Sequence, residues 1–194
     1  MSRVVLWTIG HSTCDIEDLV TLLTAHGISR LVDVRTVPGS RRNPQFNRDA
    51  MPEPLARAGI AYVHMPGLGG LRKPRKDSVN TGWRNAGFRG FADYMATPEF
   101  ETSLTALVEQ ARAERVAYMC AEAVPWRCHR SLISDALTAR GHEVRHILTA
   151  TRADPHTMTD FAVVRDGRVA YPGARDAETA QPDLPLGQLQ RRRG

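Results

Sequence analysis

Short apolar runs alternate along the chain with segments in which apolar residues recur at helical spacing. Val4 to Ile9 is the kind of run a strand buried on both faces requires, and Gly10-His11-Ser12-Thr13 breaks it. Ile16, Leu19, Val20 and Leu23 then mark one face of a helix that Gly27 ends. Ser12 with Asp15 fits a capping box at its start, with Thr13 as the alternative cap. Leu31 to Val34 predicts a second strand. A helix follows between about Asn47 and Ala58, where Pro52 and Pro54 suit the first turn better than the interior. Gly59 to Val63 predicts a third strand. Residues 64–87, rich in Gly, Pro, Arg and Asn, have no period and are longer than an ordinary connection. Phe88 to Met95 reads as a short helix. Thr97-Pro98 opens a longer one, with Phe100, Leu104, Leu107, Val108 and Ala111 on one face. Val116 to Met119 predicts a fourth strand, Leu132 to Leu137 a helix closed by Gly141, and Val144 to Leu148 a fifth strand. Strands alternating with helices predict βαβ units, hence a single three-layer α/β/α domain on a mainly parallel, Rossmann-like sheet. Phe161 to Val164 and Arg168 to Tyr171, joined by Asp166-Gly167, read as a late hairpin that closes the domain within residues 1–173.

Composition narrows the class. A chain of 194 residues with 42% hydrophobic and 24% charged residues is one globular domain, not a fibre, a coiled coil or a wholly disordered chain. No apolar run approaches the roughly 18 residues that cross a bilayer, and the opening residues do not form a signal peptide, so a soluble cytoplasmic protein is expected. Three cysteines cannot all pair and read as free thiols. The net charge of +5 is unevenly spread, since residues 30–90 carry ten Arg and two Lys against four acids. That segment points to an anionic partner, a small phosphate-bearing molecule or nucleic acid. A plain bias towards Arg, which supplies 24 of the 26 basic residues, is the competing explanation. The segment 174–194, ending in Arg191-Arg192-Arg193, has no period and is read as a disordered basic tail.

In open parallel sheets, ligands bind at the carboxyl ends of the strands. Four predicted strands end in residues able to do chemistry: His11-Ser12-Thr13, Asp33 with Arg35, His64, and Cys120-Ala121-Glu122. The densest segment is Met119 to Leu132, where a strand end, a Pro-Trp loop and a helix start place Cys128, His129 and Arg130 near a helix amino terminus. The positive potential there lowers a thiol pKa and attracts anions. The spacing Cys120 to Arg127 is C-x6-R, one residue longer than the phosphate loop of cysteine phosphatases, and C-x7-C-H lacks zinc-ribbon spacing. Cys120, and to a lesser degree Cys128, can equally be small buried apolar residues; Cys14 has no chemical neighbours.

Six ordered motifs add a resemblance: T-I-G-H-S-T at 8–13, L-V-D-V-R at 31–35, P-G-S-R-R-N-P-Q-F-N at 38–47, G-L-G-G at 67–70, W-R-N-A-G-F-R-G-F-A-D-Y-M at 83–95 and M-C-A-E-A-V-P-W-R-C-H-R at 119–130. Together they resemble domain-of-unknown-function family 488 (DUF488) over residues 3–148. The resemblance implies a compact α/β domain and brings no activity or cofactor with it.

From the residues, catalysis is assigned to Cys120, Cys128, His129, His11, Glu122 and Asp33. Substrate binding is assigned to Ser12, Thr13, Arg35, Arg41, Arg42, Asn47, Trp83, Arg84, Asn85, Arg89, Tyr94, Trp126, Arg127 and Arg130. Arginines supply forked donors for phosphate, and Trp83, Trp126, Phe88 and Tyr94 supply faces on which a base can stack. Arg35, Arg84, Arg89 and Arg127 are expected to converge on one anion pocket. His26, His142 and His156 read as solvated, and Phe91, Phe100 and Phe161 as core. Three functions fit: an enzyme acting on a nucleotide or a nucleotide within nucleic acid, a non-catalytic nucleic-acid-binding module, and a Zn or Fe site built from His11, Cys120, Cys128 and His129.

Overall fold

The computed structural model describes residues 2–173; the expected basic tail, 174–194, lies outside them. The chain runs β1 (Val5–Gly10), α1 (Ile16–Ala25), β2 (Arg30–Asp33), α2 (Pro52–Arg57), β3 (Ala61–His64), α3 (Ala86–Tyr94), α4 (Pro98–Ala113), β4 (Val116–Cys120), α5 (Arg130–Ala139), β5 (Glu143–Thr149), β6 (Arg152–Pro155), β7 (Val163–Arg165) and β8 (Arg168–Ala170). Six strands form one sheet in the order β3-β2-β4-β1-β5-β6, parallel except for β6, while β7 and β8 pair as a separate antiparallel ribbon.

Alternation along the strands divides the core into two. Leu6, Val32, Tyr118 and Val144 pack under α3, α4 and α5, whereas Trp7, Ile9, Leu31, Ala117 and Met119 pack under α1 and α2. The sheet is therefore covered on both faces, which is why its strands read as continuous apolar runs. The fold is the three-layer α/β/α arrangement that the hydrophobic pattern predicts.

Local departures have physical causes. The helix predicted to be capped by Ser12 or Thr13 begins later: Asp15 is the N-cap of α1 and makes no side-chain cap bond. Ser12 instead takes a left-handed turn at φ 50° and donates its N–H to Ala121 O, so the chain after β1 is tied to the loop after β4. Thr97 caps α4 as expected, its hydroxyl accepting from Phe100 N–H. The hydrophobic pattern does not reveal β6, because it is a short, charged edge strand with Arg152 paired to Asp154 on its surface. His142 is buried against Val4 N–H, and the His156 side chain is only 5% exposed, so neither is solvated. Phe161, in contrast, is 40% exposed and packs edge-on against Trp83, outside the core.

The long segment after β3 is irregular yet anchored. Buried Asp93 on α3 accepts hydrogen bonds from Arg75 N–H, the Ser78 hydroxyl and the Asn80 amide. Asn80 in turn accepts from Tyr171 N–H, joining this loop to the end of the ribbon.

Candidate active site

The carboxyl ends of the central strands open into a cleft with two adjoining lobes of about 360 and 480 Å³. Cys120, Cys128, His129, Asn85 and Phe88 line the first lobe; His11, Ser12, Thr13, Ser40 and Arg42 line the second. Arg35, Glu122 and Arg127 border both. The sheet edge therefore gathers most of the residues that sequence reasoning placed there.

Three donors meet at the floor of the first lobe. Cys120 ends β4, while Cys128 and His129 lead into α5, and one ligand atom from each lies within 4.8 Å of the others. Cys128 Sγ is 3.6 Å and Cys120 Sγ 3.9 Å from His129 Nδ1. The other ring nitrogen, Nε2, lies 3.3 Å from Val34 O; a carbonyl only accepts, so Nε2 carries a proton, and Nδ1 is the nitrogen that faces the sulfurs. Gly70 makes this packing possible, since a Cβ there would fall 2.5 Å from His129 Nδ1.

The two thiols differ in acidity. A hydrogen bond from Cys120, together with His129 and the Arg130 cation, lowers the Cys128 pKa despite burial. The same hydrogen bond, reinforced by burial, pushes Cys120 up. Of the two sulfurs, Cys128, at the amino end of α5, is therefore the one on which a negative charge is favoured. Cys14 stands apart: its thiol donates to His11 O, and burial raises its pKa.

Arg130 is 1% exposed, and its guanidinium donates to the Thr8 hydroxyl at 2.7 Å and to Glu122 O at 2.5 Å. Among the described residues no carboxylate pairs with it. Gly10 gives the Glu122 carbonyl room to reach this position, because any side chain there would collide with it.

His11 is committed elsewhere. Its Nε2 lies 3.2 Å from Arg35 Nη1, which can only donate, so His11 Nδ1 carries the proton and donates to Ser12 O at 2.9 Å. Burial and the Arg35 cation hold the His11 pKa down to about 4. With both nitrogens occupied, His11 is not part of the donor cluster. Arg35 itself forks onto both oxygens of Asp33, at 2.9 and 2.6 Å, and also donates to Phe46 O. Asp33 is fully buried and takes a further bond from the Tyr62 hydroxyl. This pair fixes the end of β2, and neither member is free to act on a ligand.

The remaining residues divide in the same way. Asn47 binds Ser40 N–H and Asn85 caps α3, so both hold loops, although Asn85 also lines the cleft. Tyr94 donates to Gly67 O beneath the Arg72 guanidinium. Trp83 stacks on Phe88 and, with Trp126, faces a different cavity. Arg41, Arg84 and Arg89 are absent from the cleft walls. The expected convergence of four arginines thus reduces to Arg35 and Arg127, with Arg42 added and Arg35 already paired.

The family profile described as "Domain of unknown function DUF488" matches residues 15–137, well over half of the chain. The chain belongs to this family. The DUF488 match includes Asp33, Arg35 and the whole Cys120–Arg130 segment, while His11 to Thr13 precede it. No curated protein and no solved structure matches the chain.

Proposed function

We propose that the cleft is the active site of a cysteine-dependent transferase or hydrolase acting on a phosphate-bearing substrate, a nucleotide alone or within nucleic acid. The observation that carries this reading is the convergence of Cys128, Cys120 and His129 at the floor of a cleft whose rim bears Arg127 and Arg42. In the proposed reaction the Cys128 sulfur attacks an electrophilic centre of the substrate and the bond to the leaving group breaks. Cys120, which keeps its proton, donates it to the departing group; water or an acceptor hydroxyl then takes the transferred group from Cys128, which leaves as thiolate, and the proton of that nucleophile returns to Cys120. Arg127 and Arg42 hold the anion while Arg130 stabilises the sulfur charge from below. A non-catalytic nucleic-acid module is less well supported, because Arg30, Arg35, Arg57 and Arg75 of the basic segment are each paired with an acid.

The experiment is alkylation by iodoacetamide at pH 6.5, followed site by site by mass spectrometry, with and without inorganic phosphate or a mononucleotide. Cys128 labels first and either anion slows it. Equal, slow labelling of all three cysteines overturns the reading.

One observation favours a second reading, in which the same three atoms hold a zinc-type ion. Two sulfurs and one imidazole nitrogen, donors that zinc takes, lie within 4.8 Å of one another. Bonds of about 2.3 Å to sulfur and 2.0 Å to nitrogen give a tetrahedral S···N edge of roughly 3.5 Å, close to the separation at Cys128. Zinc added at one equivalent then blocks alkylation of Cys120 and Cys128 together, whereas for a free thiolate it leaves Cys128 labelling unchanged.

A further inference from the structure

Cys120 is the last residue of β4, and Cys128 follows the turn Pro125–Arg127 in extended backbone, just before α5. Neither sits inside a helix, so the two common χ1 rotamers are open to each thiol. Their sulfurs belong to the group of donors that lies within 4.8 Å, and among the described residues no disulfide joins them. They are 8% and 3% exposed, yet both line the lobe of about 360 Å³, which brings a small molecule to them. The third cysteine is placed differently: Cys14 donates its thiol to His11 O at 2.8 Å and lines neither lobe.

The two thiols differ in a way that matters once one of them is oxidised. Cys128 is the sulfur on which negative charge is favoured, and the thiolate is the form that attacks an electron-poor oxygen. Cys120 is held protonated first by its hydrogen bond to Cys128, then by burial, then by the charge on Cys128. Two of these three causes depend on Cys128 as an anion. An oxygen bound to the Cys128 sulfur removes that charge, and burial alone then opposes ionisation of Cys120, against the Arg130 cation and a backbone hydrogen bond at Glu122. Oxidation of the first thiol therefore releases the second to react with it.

We propose that Cys120 and Cys128 form a reversible redox couple whose oxidising substrate is a hydroperoxide. The Cys128 sulfur attacks the terminal peroxide oxygen, the O–O bond breaks, and the departing oxygen takes a proton from solvent and leaves as an alcohol, or as water from hydrogen peroxide. Cys128 then carries S–OH. Cys120 attacks that sulfur, the S–O bond breaks, and the hydroxyl departs as water with the Cys120 thiol proton while the disulfide forms. The two thiols supply the two electrons that reduce the peroxide, and a dithiol reductant returns them by exchange. While the disulfide stands, the cleft has neither a nucleophilic sulfur nor two sulfur donors for a metal, so oxidation closes it to both chemistries. The couple stands whether or not the cleft takes a phosphate-bearing substrate.

The test is oxidation of the reduced full chain by hydrogen peroxide in excess, under native conditions and with chelator present so that no ion shields the sulfurs. The remaining thiols are then blocked with N-ethylmaleimide and the products mapped by mass spectrometry without reduction. The expected main product is a Cys120–Cys128 link, lighter by two hydrogens, with Cys14 still blocked by the maleimide and both thiols restored by dithiothreitol. C14S gives the same link. C120S, which lacks the second thiol, carries Cys128 on to the sulfinic acid that dithiothreitol does not reverse. If C120S does not fold, the product map of the native chain decides alone. Sulfinic acid at Cys128 of the native chain in place of the link, links through Cys14 in comparable yield, or three thiols still open to the maleimide overturns the proposal. Protection of Cys128 by phosphate is a separate measurement, so the substrate reading can fail while the couple holds, and the reverse.

Discussion

Replacing Asp33 by Asn removes one charge and almost no volume at the end of β2. Asp33 is fully buried and its partner Arg35 is 8% exposed, so the substitution leaves a guanidinium in the interior with only Phe46 O and His11 as further acceptors. Breaking a buried ion pair from one side costs about 3–5 kcal/mol, because the surviving charge stays desolvated. At about 2–4 °C per kcal/mol for a chain of this size, Asp33→Asn lowers Tm by roughly 6–20 °C. Thermal unfolding followed by circular dichroism at pH 7 measures this directly. The same logic predicts the double variant. Arg35→Met added to Asp33→Asn removes the stranded cation, while the substituted amide can still accept from the Tyr62 hydroxyl, so roughly half or more of the lost stability returns. A single variant within about 1 kcal/mol of the parent, or a double variant less stable than the single, would refute the view that this pair is a structural tie whose cost lies in the unpaired charge.

Three further outcomes are expected. Because the folded His11 resists protonation until about pH 4 while the unfolded residue protonates below its ordinary 6.5, stability falls as pH drops through that window. The loss from His11 reaches about 2 kcal/mol at pH 5, His146 adds to it in the same direction, and denaturant titrations of His11→Gln between pH 7 and 5 show a shallower decline. Gly70→Ala drives a methyl into the His129 ring, which displaces Nδ1 from the sulfurs; Cys128 alkylation slows, and stability drops by about 1–3 kcal/mol, as for other overpacked sites. Arg127→Ala abolishes most of the protection that phosphate gives Cys128 and leaves its labelling without phosphate fast; unchanged protection would remove Arg127 from the anion site.

Of the five parallel strands, β1, β2 and β4 were legible because they are buried on both faces and leave apolar runs, whereas β3 and β5 are partly exposed and were legible from shorter apolar stretches. The sixth was not, since an edge strand of four residues carrying Arg152 and Asp154 resembles a polar loop. The convergence of Cys120, Cys128 and His129 followed from a general property of parallel sheets, that strand ends and helix starts share one edge. The fate of the arginines did not follow, because it depends on partners: Arg35 was legible only through Asp33 two positions earlier, an opposite charge on the same side of an extended chain. Asp93 and Asp135 were missed outright. A buried carboxylate is recognised by its donors, and those of Asp135 come from residues 156, 159 and 171, with no local signature to mark them.

Arg130 is a cation that solvent does not meet, and dissolved ions can screen it only from a distance. Arg127 and Arg42 stand at the surface, within reach of any counterion. Raising the ionic strength therefore acts on the two kinds of charge differently: at 0.1 M the screening length is about 10 Å, and at 1 M about 3 Å, which is enough to quench the rim but not the buried guanidinium. On the proposed function, recruitment of an anion and the acidity of the sulfur beneath it therefore become separable: concentrated salt is expected to weaken anion binding at the rim and to leave the Cys128 pKa low.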